Sequence, residues 1–276
     1  MLHAVRSATV ALADAGLPSA RVDAELLAAH VLGVSRGRLA LADGLTAPQR
    51  EAYRDLVDRR AAGEPLQHLV GTAPFRRLEV AVGPGVFVPR PETELLAGWG
   101  LEVAGASPTV VDLCSGSGAI ALAVAQEVPD ATVYAVERSP AALSWLRRNA
   151  DGTRVRVVAG DVTDPAVLAE LDGRVDLVLC NPPYVPAAVA VPADVARHDP
   201  AEAVFAGADG LSVIRPVVAR AAALLRGGGW FGVEHDDTHG EVVPALLRAD
   251  GRFADVADHR DLAGRPRFAT ARRRSP

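Results

Sequence analysis

A doubly wound α/β fold with a mostly parallel sheet, preceded by a small all-helical domain, is predicted by three observations. From Pro108 onward, short apolar runs alternate with helical stretches, the βαβ rhythm that builds a parallel sheet with helices on both faces. Before residue 70 the apolar residues recur at helical spacing. Between these parts, residues 72 to 89 partly alternate apolar and polar, which reads as short strands. A chain of 276 residues accommodates one large domain and a small one. Its hydrophobic share of 49% excludes a disordered or fibrous chain.

The elements follow in order. Val5, Leu12 and Leu17 mark a first helix. A second runs from about Val22 to Val31, carried by Leu26, Leu27, His30 and Val31, after a break at Pro18-Ser19. A third spans about Pro48 to Ala62, with proline at its start and Gly63 past its end. Phe75, Leu78, Val80, Val82, Val86 and Val88 read as a β-hairpin around Gly83-Pro84-Gly85. A helix then begins near Glu92. Strands are expected at 110–113, 132–136, 155–158, 175–179 and 230–233, the last after a turn at Gly227-Gly228-Gly229. Helices are expected at 119–128, 140–150, 210–225 and 241–248, and two closing strands at 253–256 and 268–271. The domains are therefore 1–70 (helical), 71–90 (hairpin linker) and 91–276 (catalytic).

The net charge of -5 argues against a nucleic-acid substrate, because phosphate neutralisation calls for a basic field. Two cysteines, Cys114 and Cys180, build no disulfide framework and are expected reduced and buried. No leader pattern and no apolar run near the ~20 residues of a membrane span are present. A cytoplasmic protein without membrane attachment, and a monomer, is expected.

Two motifs carry the chemistry. Asp112-Leu113-Cys114-Ser115-Gly116-Ser117-Gly118 leaves the first strand of the large domain and opens a helix. Small residues let such a turn pass close to a ligand at a helix N-terminus. Glu137 ends the next strand, where a carboxylate can accept from both ribose hydroxyls. The loop fits a nicotinamide fingerprint poorly and resembles that of the class I methyltransferases. In that class the corner held here by Gly160-Asp161-Val162 flanks adenine, with Asp161 accepting from the amino group and Val162 packing on the ring.

Asn181-Pro182-Pro183-Tyr184 follows the apolar run 175–180. Consecutive prolines fix an extended path. That path presents the Asn181 side-chain oxygen and the Pro182 carbonyl together, two acceptors for the two donors of a planar NH2 group. Tyr184 can stack on the plane. A delocalised nitrogen is a poor nucleophile, so in-line placement and electrostatic support are the work required.

With these motifs, the runs Arg21 to Leu27, Gly63 to His68, Phe87-Val88-Pro89-Arg90-Pro91-Glu92-Thr93-Glu94, His198-Asp199-Pro200 and Gly207 to Leu211 give a chain that resembles the release factor glutamine methyltransferases, the PrmC/HemK family, over nearly its whole length. The resemblance implies a class I S-adenosylmethionine-dependent methyltransferase fold (Rossmann-like) that methylates N5 of the glutamine in the Gly-Gly-Gln loop of class I peptide chain release factors. It implies that Asp112, Cys114 to Gly118, Glu137, Asp161, Val162 and Asn181 hold S-adenosylmethionine. Asn181, Pro182, Pro183 and Tyr184, bordered by Phe87, Arg90 and Glu92, hold the glutamine, with Asn181, Pro182 and Tyr184 catalytic. The helical domain contacts the release factor. Cys114 and Ser115 stand where glycine and threonine are common, and Glu137 where aspartate is.

Asn-Pro-Pro-Tyr also occurs in adenine and guanine amino methyltransferases, so a DNA or RNA amino methyltransferase is the alternative. It would need a flipped or single-stranded base and basic surface, and the chain has neither a basic balance nor a large insert. No metal is expected. His235, Asp236, Asp237 and His239 are local candidates only, and a solvated loop or cofactor-edge packing is the expected setting for His235. Arg265 and Arg267 are read as surface charge or a partner contact.

Overall fold

The structure is a computed structural model and describes residues 1–275. It divides into two compact units, Met1–Thr72 with Val191–His198, and Ala73–Ala190 with Asp199 onward.

The first unit contains α1 (Leu2–Asp14), α2 (Ala20–Leu32), a 3-10 turn (Arg36–Leu41), α3 (Ala47–Ala61) and α4 (Leu66–Val70). Ala8 and Leu12 of α1, Ala24, Leu27 and Ala28 of α2, and Tyr53 and Val57 of α3 meet in its core. Thr46 caps α3 reciprocally with Gln49, which satisfies donors that a helix start otherwise leaves open. The Tyr53 hydroxyl donates to the Ala24 carbonyl at 2.9 Å. Its burial pushes the phenol up to about 12. Arg60 pairs with Asp23 at 2.7 Å, both nearly buried. His30 is exposed, so the buried stripe of α2 lies one step round from the expected one.

The second unit begins with a hairpin, β1 (Thr72–Phe75) and β2 (Leu78–Ala81). The turn falls at Arg76-Arg77, with Arg76 at φ 52, and not at Gly83-Pro84-Gly85. Val82, Val86 and Val88 are all buried, but as irregular chain in the core and not as a strand. Residues 73–90, expected as a linker, pack into this unit with Leu96, Ile120 and Leu146.

The remaining elements are α5 (Thr93–Val103), β3 (Thr109–Leu113), α6 (Ala119–Glu127), β4 (Thr132–Glu137), α7 (Pro140–Ala150), β5 (Arg156–Ala159), β6 (Val175–Cys180), α8 (Ala193–His198, which belongs to the first unit), α9 (Ala201–Val204), α10 (Ile214–Leu224), β7 (Leu225–Glu234), α11 (Val242–Ala249), β8 (Phe253–Arg260) and β9 (Pro266–Arg273). The sheet order is β5-β4-β3-β6-β7-β9-β8. β3 to β7 are parallel, and β9 is antiparallel to both its neighbours. Alternate residues feed the two faces. Val110, Leu177 and Leu179 meet one set of helices, while Val111, Leu113, Val178 and Phe231 meet the other.

Gly227-Gly228-Gly229, expected as a turn, lies inside β7. A Cβ on Gly229 would stand 3.0 Å from the Val175 and Asp176 carbonyls, and the ladder register shifts between Val175 and Leu177. Close backbone approach, and not a reversal, explains Gly229, and Gly228 supplies a left-handed φ of 80 within the strand. The helix expected from residue 210 starts at Ile214. α4, α8 and α9 are too short to leave a periodic signal. No helix among the described residues is long and apolar enough to cross a membrane.

Order reverses between β3 and β6, so the carboxyl ends of the strands open a crevice there. The register aligns Leu113 with Val136 on one side and Cys180 on the other, and Cys180 with Val233. The next residues along, Cys114, Glu137, Asn181 and Glu234, therefore emerge at one edge.

Candidate active site

The loop after β3 is stitched to the end of β4. The Ser115 N–H donates to the Val136 carbonyl at 2.9 Å. The Gly116 N–H donates to Glu137 Oε2 at 2.9 Å. The other Glu137 oxygen accepts from the Arg138 and Ser139 N–H groups at 2.8 Å each. Glu137 thus ties two turns together, with lone pairs remaining on its oxygens. Ser115 Oγ donates to the Asp112 carbonyl, and the Ser117 carbonyl accepts from Asn149. Gly118 forms the N-cap of α6.

Cys114 is half-exposed, in contrast to the buried Cys180, and both thiols are free. Its φ of 58 is left-handed, a conformation that costs a non-glycine residue about 1–2 kcal/mol. Burial pushes the Cys180 thiol up, with Cys114 as its neighbour.

Three features at this end of the sheet suit a bound cofactor. Asp112 is 1% exposed. Its Oδ2 accepts from the Ala121 N–H at 3.2 Å, while Oδ1 is buried without a hydrogen-bond partner among the described residues. That burial pushes its carboxyl up to about 7. Gly116 has φ 55, and nothing lies within 4 Å of where its Cβ would stand. An open cleft of about 540 Å³ is lined by Arg138, Ser139, Gly160 and Asp161. Val162 is buried. Asp161 is engaged locally. It accepts from the Thr163 N–H and hydroxyl at 2.9 and 2.8 Å and pairs with Arg138 at 3.3 Å.

Beyond β6, Pro182 and Pro183 are buried. The following residues zip onto the segment after α9. The Val185 N–H donates to Val204 and the Ala206 N–H to Val185, both at 2.9 Å. Asn181 Nδ2 donates to Thr93 Oγ1 at 3.0 Å. The Thr93 hydroxyl donates to Glu234 Oε2 at 2.8 Å, and the Tyr184 hydroxyl to Glu234 Oε1 at 2.9 Å. Glu234 is 1% exposed, and burial pushes its carboxyl up to about 7, against the pull of those two hydroxyls. The Tyr184 phenol is raised well above its ordinary value, first by burial and then by Glu234. Among the described residues, the hydrogen bond of the Asn181 side chain is the one its nitrogen donates to Thr93, not one accepted by Oδ1.

Arg90 pairs with Asp199 and lies 4.7 Å over the Phe87 ring. Glu92 precedes α5, and its charge bears on Glu234. His235 is fully buried, bonded to Asp258 at 2.9 Å, so neither a solvated loop nor the cofactor edge is its setting. Arg265 and Arg267 both clamp Asp261. No cluster of potential metal ligands occurs among the described residues. Sequence reading missed Thr93 and Glu234. The Thr-Glu ending of the 87–94 run is visible, but only the packing of α5, which starts at Thr93, against β7, which ends at Glu234, brings the two together.

The sheet order, the loop after β3 and the Asn181 corner define a class I S-adenosylmethionine-dependent methyltransferase. Residues 3–71 match the PrmC N-terminal domain and residues 83–198 the methyltransferase small domain. A release factor glutamine methyltransferase of Mycolicibacterium smegmatis is 54% identical over 98% of this chain and 96% of its own. One of Streptomyces coelicolor is 51% identical over 100% and 99%. The chain belongs to the release factor glutamine methyltransferase family. Among solved structures, a Pyrococcus furiosus methyltransferase matches at a TM-score of 0.54 and 16% identity, over 72% of this chain and 90% of that one, a likeness of fold.

Proposed function

We propose that this enzyme transfers the methyl group of S-adenosylmethionine to N5 of the glutamine in the Gly-Gly-Gln motif of class I peptide chain release factors. The observation that carries the reading is the orientation of Asn181. Its amide nitrogen is committed to Thr93, so its oxygen is the atom offered to a substrate. With the Pro182 carbonyl it makes a pair of acceptors matched to one NH2 group.

When bound, S-adenosylmethionine would supply a methyl group on positively charged sulfur, its thioether leaving as the nitrogen takes the methyl. Asp112, the 114–118 loop and Glu137 would hold it, with Asp161 and Val162 at the adenine end. The partnerless Asp112 oxygen gives a negative group for its cationic part. Asn181 and Pro182 hold the glutamine NH2, draw its hydrogens into their plane and favour pyramidal character at nitrogen. The nitrogen lone pair is then free to point at the methyl carbon, and the spare proton leaves to solvent. Pro183 keeps the path rigid, and Tyr184 is fixed by Glu234 as a wall of the slot. Phe87, Arg90 and Glu92 border it.

The helical part, 1–70, is the release-factor contact, and 91–276, with the 73–90 segment packed into its core, performs the transfer. The enzyme works as a cytoplasmic monomer, off the membrane and without a nucleic-acid substrate. Incubation with labelled S-adenosylmethionine and a class I release factor, its Gly-Gly-Ala variant or nucleic acid tests the reading. Label is expected on the first alone. Label on nucleic acid and none on the factor contradicts it.

A further inference from the structure

We infer that Thr93 and Glu234 are positioning residues that set which end of the Asn181 amide faces the substrate. The inference rests on the reading of Asn181 given above. An asparagine amide presents either its oxygen or its NH2 after a half-turn about its last bond, and only the oxygen can hold a substrate NH2.

The direction of each hydrogen bond decides the outcome. Ionised Glu234 accepts only. The Thr93 hydroxyl lies 2.8 Å from one of its oxygens and must donate there. Its own oxygen is then free only to accept, and what it accepts is an Asn181 N–H at 3.0 Å. The same carboxylate takes the Tyr184 hydroxyl at 2.9 Å. One buried charge thus orients both polar side chains of the 181–184 run. Register supports the arrangement, since Cys180 is paired with Val233 and Asn181 and Glu234 are the next residues along each strand. Thr93 is 3% exposed, so water does not compete for its hydroxyl.

Loss of that charge removes the instruction. A neutral acid or a glutamine at 234 can donate to Thr93, whose hydroxyl is then free to donate to Asn181. The amide that answers such a donor has turned its oxygen inward. The charged or titratable groups facing Glu234 are Tyr184, Arg267, Glu92 and Cys180. With its carboxyl raised to about 7, the working state is lost as pH falls through that value.

Four proteins test this: wild type, T93V, T93S and E234Q, each assayed with S-adenosylmethionine and release factor. Valine keeps the shape of threonine without the hydroxyl. T93V is expected to lose about 10²-fold in kcat, the scale of a misplaced reacting group, with cofactor affinity near wild type and a lowered melting temperature, because buried Glu234 loses a donor. T93S restores the hydroxyl and is expected to recover most of the rate. E234Q is expected to be slow and to lack the wild-type rise in rate through about pH 7. T93V with wild-type kcat overturns the inference.

A wild-type enzyme inert on release factor is a failure of the substrate reading instead, and the inference is then decided by NMR. The Asn181 side-chain N–H groups should exchange slowly in wild type and T93S, and fast in T93V. Equal exchange in wild type and T93V overturns the inference whatever the substrate.

Discussion

Arg90 donates to Asp199 at 2.5 Å across 109 residues of sequence. The carboxylate is 3% exposed and the guanidinium 33%, and that guanidinium also lies over Phe87. The pair binds the segment before α5 to the segment after α8. Because Asp199 is buried, removing the arginine takes a counter-ion from a buried charge. Arg90→Met is expected to cost about 2 kcal/mol, below the usual buried-pair figure because the arginine is partly in water. Arg90→Met with Asp199→Asn should recover part of that loss. Denaturant midpoints in a double-mutant cycle measure it, and additive losses would show that the pair is not coupled.

Asp112 trades stability for binding. Its carboxyl lies at about 7 when folded, against 3.8 ordinarily. Below the lower value the group is protonated in both states and costs nothing. As pH rises to the folded value, the unfolded chain loses its proton first and the fold weakens. Asp112→Asn should therefore gain stability relative to wild type as pH rises from about 4 to about 8, by up to about 4 kcal/mol. The same variant should bind S-adenosylmethionine more weakly, and wild-type affinity should strengthen as pH rises through about 7. Calorimetry in both variants across that range measures it. A pH-independent stability difference contradicts the buried charge.

Cys114 sits at φ 58, where a β-branched side chain is worst accommodated. Cys114→Gly should be at least as stable as wild type. Cys114→Val should lose about 1–2 kcal/mol. Urea unfolding at constant m distinguishes them, and equal stability of the two variants contradicts the strained turn.

Gly210 has φ 73, and a Cβ there would collide with the Tyr184 carbonyl and stand 2.8 Å from His239 Cε1. Gly210→Ala should cost about 2 kcal/mol or more and displace the 181–184 path. Its kcat should fall more than its cofactor affinity. A variant with unchanged kcat would show that this glycine does not support the catalytic run.

Much of this was legible in the chain because the signals are local. Apolar periodicity gave β3 to β6 and the helices between them within a few residues, and the 112–118 and 181–184 motifs announce themselves in consecutive residues. What was hidden depends on distance. Nothing near Gly229 says that a neighbouring backbone excludes side chains there. Nothing near Glu234 says that Thr93, 141 residues away, will donate to it. His235, at the end of an expected strand, reads as a solvated loop or cofactor-edge residue, yet it is buried and Asp258 on β8 supplies its partner.

The most direct measurement is fragment mass spectrometry of a class I release factor after reaction with S-adenosylmethionine and this enzyme, beside Asn181→Ala. The account predicts one added methyl group on the glutamine of the Gly-Gly-Gln motif with wild type, and none with Asn181→Ala despite retained cofactor binding. A methyl group on another residue, or full modification by Asn181→Ala, would contradict it.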